Sequence, residues 1–118
     1  MALALNNYET VVSVLDTNSA KASIYTAPVG YDSIVLLAQA ANTDSNNTNT
    51  VTLILRTVKT GSNVDTEVVK DFPIGPNDAV SLLQGKLVLQ TGDSLIVQSG
   101  TDNPEVKFIA SVLETLNQ

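Results

Sequence analysis

Neither cysteine, histidine nor tryptophan occurs in the 118-residue sequence, the only methionine is Met1, and only five residues are aromatic. Each absence excludes a chemistry. Without cysteine there is no disulfide, no thiolate ligand for zinc or an iron–sulfur cluster, and no thiol nucleophile. Without histidine there is no Ser-His-Asp triad, no imidazole base and no imidazole metal ligand. Positive charge is scarce too: six Lys+Arg face twelve Asp+Glu, for a net charge of −6 and a pI near 4.2. A chain of this balance neutralises few phosphates, so nucleic acid is not an expected partner. Its few aromatics make no stacking platform for single strands, and anionic membrane surfaces repel it. No apolar run approaches the length of a membrane span. Residues 1–7 lack the basic and apolar regions of a secretory signal, so the expectation is synthesis in the cytoplasm and no export by the Sec route.

What the sequence has in plenty is β-branched and turn-forming residues. Val, Ile and Thr together supply 34 positions, and Ser, Thr and Asn together also supply 34. The first set suits a pleated, half-buried surface and the second suits the turns between strands. Strand-like runs cover residues 8–15, 23–26, 33–42, 50–59, 66–72, 79–83, 86–90, 93–99 and 105–114. Turn signals separate them every eight to twelve residues or so, the spacing of a sandwich or barrel. The expected architecture is all-β: a two-sheet antiparallel β-sandwich of jelly-roll or Greek-key type, with eight to nine short strands. One domain spans 1–118, with 1–7 as an extended N-terminal arm. Gln84-Gly85 reads as the turn of a hairpin joining 79–83 to 86–90.

Alternation assigns faces. Val51, Leu53 and Leu55 fall on one face of their strand, with Thr50, Thr52 and Arg56 on the other. Val106, Phe108, Ala110 and Val112 fall inward on the last strand. Four apolar residues fall on faces assigned to solvent: Val11, Ile54, Ile109 and Leu113. Two readings stay open for them. Single exposed apolar residues are ordinary, or their strands lie between covering layers. Alternatively the four mark a surface for self-association or docking.

No catalytic set emerges. Asp16, Asp32, Asp44, Asp65, Asp78, Asp93 and Asp102 lie in or beside turn clusters, where an Asp side chain caps its own backbone. The loop Asp44-Ser45-Asn46-Asn47-Thr48 spaces oxygen ligands like a calcium loop, but Asn49 stands where Gly is needed and Leu55 where a bidentate Glu is needed. The glycines open no helix and form no phosphate cradle. The expectation is a protein with no catalytic residues, no metal site and no cofactor.

Two stretches carry a family resemblance. One is Ile24-Tyr25-Thr26-Ala27-Pro28-Val29-Gly30 followed by Ser33-Ile34-Val35-Leu36. The other is the block from Leu82 to Val97, with Gly85-Lys86-Leu87-Val88-Leu89 and Gly92-Asp93-Ser94-Leu95 at its centre, closed by a strand over 105–113. The chain resembles small β-sandwich virion structural proteins of tailed bacteriophages, among them capsid decoration (cement) proteins. The resemblance implies a virion protein seated on the major capsid protein or another virion protein, and it brings no catalytic residues. If the four outward apolar residues do mark an association surface, the expectation is a homo-oligomer: decoration proteins at three-fold positions suggest a trimer, and a dimer would satisfy the same surface. The alternatives are a neck, tail or fibre-base component and, from another class, a carbohydrate-binding or adhesion module, against which the missing tryptophan counts.

Overall fold

A computed structural model describes residues 6–15, 21–58, 61–100 and 105–116. The expected turn at 16–19, residues 59–60 and the turn at 101–104, with Asp16 and Asp102, lie outside the described residues. Nine strands form: β1 (Asn6–Leu15), β2 (Ala22–Thr26), β3 (Tyr31–Asn42), β4 (Asn49–Thr57), β5 (Val64–Ile74), β6 (Ala79–Ser81), β7 (Leu87–Leu89), β8 (Ser94–Ser99) and β9 (Val106–Leu116). There is no α-helix among the described residues. β1 takes in Asn6 and Asn7, which the sequence assigned to an arm. Residues 1–5 lie outside the described residues.

The strands form two antiparallel sheets. Sheet A runs β1-β9-β3-β6, with β7 also paired to β3, and sheet B runs β2-β8-β4-β5. The expected hairpin does not form. β6 pairs with Gln39–Ala41 and β7 with Ser33–Val35, so the two are halves of one strand lying along the same edge of β3. Between them the chain leaves the ladder. The Leu82 amide bonds the Ala38 carbonyl at 2.8 Å, and the Leu82 side chain enters the core. A tertiary partner already in place outcompetes the local turn at Gln84-Gly85, because β3 offers both segments a ladder. With β6 and β7 taken as one interrupted strand, the pairings nest: β1 with β9, β2 with β8, β3 with β6/β7 and β4 with β5. Wrapped into two sheets, that nested ribbon is a jelly roll.

Alternating side chains fill the space between the sheets. Sheet A contributes Val35, Ala38, Ala40, Leu89, Val106, Phe108, Ala110 and Val112, and sheet B contributes Val51, Leu53, Leu95 and Val97. The inward set expected on the last strand is therefore in the core, each member at most 1% exposed.

Buried polar groups tie down both ends of this core. At one end Asn42, itself 1% exposed, donates from Nδ2 to the carbonyls of Asn47 (2.8 Å), Ile74 (2.9 Å) and Gly75 (3.2 Å). Its Oδ1 accepts from the Asp44 amide at 3.0 Å and from Asn49 Nδ2 at 2.8 Å. One side chain thus joins the end of β3, the 43–48 loop, the start of β4 and the turn after β5. At the other end Tyr25 of sheet B donates to the carboxylate of Glu114 in sheet A and also bonds Ser33 at 2.8 Å. Asn7 donates to the second Glu114 oxygen at 3.1 Å. Burial, reinforced by the Glu114 carboxylate, pushes the Tyr25 phenol well above its ordinary range.

Asn42→Ala strands the Ile74 carbonyl and the Asn49 amide in the interior. The expected loss is about 2–4 kcal/mol, read as a fall in both the urea midpoint and Tm with the β spectrum retained below the transition.

Candidate functional site

The acids resolve first. Asp44 accepts from the amides of Asn46 (2.8 Å) and Asn47 (3.2 Å) and from Asn47 Nδ2 (3.0 Å), so its carboxylate closes its own loop. Those bonds, the Asn46 amide foremost, hold its carboxyl below the usual range. Asp78 caps the Ala79 amide at 2.8 Å, and Asp93 accepts from Gln90 at 3.0 Å and Val58 at 3.3 Å. Two of the aspartates assigned to turns lie inside strands, each at the second residue and so beside its turn: Asp32 in β3 and Asp65 in β5, the latter ion-paired. Arg56 Nε stands 2.6 Å from Oδ1, while Arg56 Nη2 and Lys21 Nζ each stand 3.0 Å from Oδ2. Arg56 first and Lys21 second hold this carboxyl far below the ordinary carboxylate range. Among the described residues no three acidic side chains stand close enough together to hold a metal ion.

The bridge at Asp65 explains one of the four apolar residues singled out above. Ile54 lies on the face of β4 turned away from the core, in register with Ile96 of β8, as alternation requires. Both are nevertheless 1% exposed. Arg56 shares that face, two residues along, and Asp65 is its partner on β5. Lys21, leading into β2 at the opposite edge of sheet B, reaches the same carboxylate. The bridge therefore lies across the outer face on which Ile54 and Ile96 sit, and the chain itself closes that face. The outward, exposed assignment of Ile54 is corrected: the face is right and the exposure is not.

Val11 needs the opposite correction. In the β1–β9 register it stands opposite Ala110, a core residue, and it packs against the core. Val12, opposite Ile109, faces out and is 66% exposed. Ile109 does face solvent, and Leu113 lies half-buried on the same face.

These corrections expose the feature that sets the molecule apart. The outer face of sheet A carries a cross-strand row Tyr8–Leu113–Ile34–Val88, four apolar side chains from four strands in direct register. Leu37, opposite Ser111, forms the next row, and Val12–Ile109 the row beyond, beside Gln39 and Ser81. Tyr8, Val12, Leu36, Leu37, Val88 and Ile109 are all more than a third exposed. No charged residue occupies these rows; Lys107 and Asp32 lie beyond their two ends. Sequence alternation named Ile109 and Leu113 but missed Tyr8, Val12, Ile34, Leu37 and Val88. The signal available was the spacing Tyr8-x-Thr10-x-Val12 and the isolated Val88 between two core leucines. A second apolar feature is a cavity of about 310 Å³ where β5 and the β6–β7 link diverge, lined by Val68, Val69, Phe72, Leu82 and Leu83.

The class these features define is a jelly-roll β-sandwich with one outer face closed and one bare. No family model matches the sequence, and no curated protein does. Among solved structures, a chain from the acid-stable capsid of Helicobacter pylori bacteriophage KHP30 is similar with a TM-score of 0.55 at 10% identity, over 94% of this chain and 89% of that one. A Bacillus endospore appendage protein, from a family of disulfide-linked pili, is similar with a TM-score of 0.54 at 17% identity, over 99% of this chain and 97% of that one. At these identities what is shared is the fold.

Two measurements test the faces and the bridge. Ile54→Asp buries an unpaired charge and is expected to lose more than about 3 kcal/mol or fail to fold, while Ile109→Asp changes monomer stability by less than about 1 kcal/mol. Asp65→Asn is expected to lower Tm by a few degrees at pH 7. A carboxyl whose folded pKa is depressed stabilises above its unfolded value near 4 and loses that contribution as pH falls below it. The Tm gap between Asp65→Asn and the parent is therefore full at pH 7 and closes below about pH 4.

Proposed function

We propose that this chain is a structural subunit of a virus particle, and within that class a capsid decoration (cement) protein on the outer surface of a phage shell. The observation that carries the reading is the bare, uncharged apolar face of sheet A. An isolated protein leaves such a face wet at a cost of roughly 1.5–3 kcal/mol per large side chain, and an assembled one recovers it. Two further points support the viral setting: the jelly-roll fold shared with the phage KHP30 capsid chain, and the resemblance of 82–97 to tailed-phage virion proteins. A role of this kind is mechanical. It calls for a packed sandwich without thiols, metals or cofactors, and it needs no catalytic residue. Many weak contacts repeated over a lattice act together, so each subunit requires only a modest interface with the major capsid protein.

Two neighbouring readings have observations of their own. A neck, tail or fibre-base component fits the same resemblance. A filament subunit fits the likeness to the endospore appendage protein, although this chain lacks the cysteine that a disulfide-linked fibre requires. Quantitative mass spectrometry of purified particles separates the three. A decoration protein is expected at hundreds of copies, in fixed ratio to the major capsid protein. A handful of copies places it at the neck or tail. Absence from particles, with fibres visible in preparations of the protein alone, favours the filament.

A further inference from the structure

Of the molecule's two outer sheet faces, one is finished by the described residues of the chain and the other is not. On sheet B the apolar pair Ile54–Ile96 is buried within the single chain, and on the same face Asp65 of β5 holds Arg56 of β4 and Lys21, which leads into β2. On sheet A the row Tyr8–Leu113–Ile34–Val88 and the pair Val12–Ile109 have nothing of the kind among the described residues, and the paired rows themselves hold no charged residue. We infer that a second copy of this chain covers this face, the two A sheets stacking face to face about a two-fold axis. This deepens the assembly reading above, on which it rests, by naming the occupant of the bare face.

Three observations select a second copy. The first is charge. The chain carries a net −6, so most of its surface repels another copy, yet the strand rows of this face are neutral. Two copies can meet here without burying like charges, and a charged partner surface would find no counter-ion here. The second is area. Counted out to its polar ends, where Asp32 and Lys107 form a rim, the face has three strands of about ten residues with the shorter β6 and β7 beside them; at about 4.8 Å between strands and about 3.3 Å per residue this is at most about 600 Å² per copy. A stacked pair then buries at most about 1,200 Å², the lower end of specific, stable interfaces. The third is shape. Successive outward residues of the sheet form ridges of the kind that already interdigitate across this protein's own core, and stacked sheets keep their strands within about 30° of each other. A face that meets itself is isologous, and its symmetry is two-fold. A three-fold ring would need a second, different surface, so this face does not favour the trimer that decoration proteins suggest.

Sedimentation velocity and light scattering of the purified chain from 1 to 100 μM provide the test. The expected result is a dimer at the upper concentrations. Because each substitution enters an isologous contact twice, Ile109→Asp or Val88→Asp is expected to weaken dimerisation at least tenfold, with circular dichroism and monomer Tm retained. Val68→Asp, at the cavity beside β5, is expected to leave the dimer intact. A monomer at 100 μM overturns the inference. So does a trimer, a dimer indifferent to both face variants, or a dimer lost with Val68→Asp instead. The readout is the mass of the purified protein, so this inference and the virion reading fail separately: a face-stacked dimer absent from particles leaves the first standing, and a monomer abundant in particles leaves the second.

Discussion

A β-sheet has two faces, and in a two-layer sandwich the core can cover only one face of each sheet. The inner faces here meet over Phe108, Leu53, Leu95 and their neighbours, and the problem they leave is what becomes of the two outer faces. Sheet B solves it internally. Its two edge strands are brought into contact by a carboxylate on one and a lysine leading into the other, with Arg56 between them, so charged groups form the lid and isoleucines the floor. Such an arrangement lets Lys and Arg lay their apolar stems over buried surface while their heads stay paired. Sheet A has no equivalent: Lys107 and Asp32 stand beyond the apolar rows, not over them. The asymmetry between the faces, more than any single residue, makes the two sides of this molecule unlike.

Polar groups supply the uniqueness that apolar packing alone does not. Asn42 satisfies five partners from three other segments, so a shift of β3 by one residue would leave several of them unpaired at once. Glu114 does the same work at the opposite end, joined to Tyr25 from the other sheet and to Asn7 from the neighbouring strand. Both sites fasten one sheet or loop to another, and both are buried among partners that water would otherwise have to replace.

Strand placement was largely legible in the sequence, and the reason is visible in β9. Val106, Phe108, Ala110 and Val112 alternate with polar or outward residues without interruption, so its core face has one solution. Where apolar residues fall on both phases the pattern loses its power. Val11 and Val12 are adjacent valines, and only the register with Ala110 and Ile109 decides which one is buried. Ile54 lay on the expected face, but it is buried, and two members of the bridge on that face, Asp65 and Lys21, come from distant parts of the chain that no local window contains. The turn at Gln84-Gly85 had the local chemistry of a hairpin and lost to a ladder offered by β3, far back in the chain. The bare face itself was half visible: Ile109 and Leu113 were read from alternation, while Tyr8, Ile34 and Val88 join them only once four strands lie side by side.

The nested pairing also governs the order in which the protein can become itself. Of the nine described strands, β1 leaves the ribosome before the others, and the strand beside it, β9, comes after them all. Only β4 with β5 is a local pair; every enclosing pair waits for a more distant partner, and the long-range closures are the slow ones. Until β9 has slid between β1 and β3, sheet A consists only of β3 with β6 and β7, β1 has no partner in it, and its strands show apolar side chains on both sides. Sheet A is thus completed only when β9 inserts, and the vulnerable interval is the one before that, when the strands it joins are unpaired and their apolar side chains are open to other chains of the same sequence.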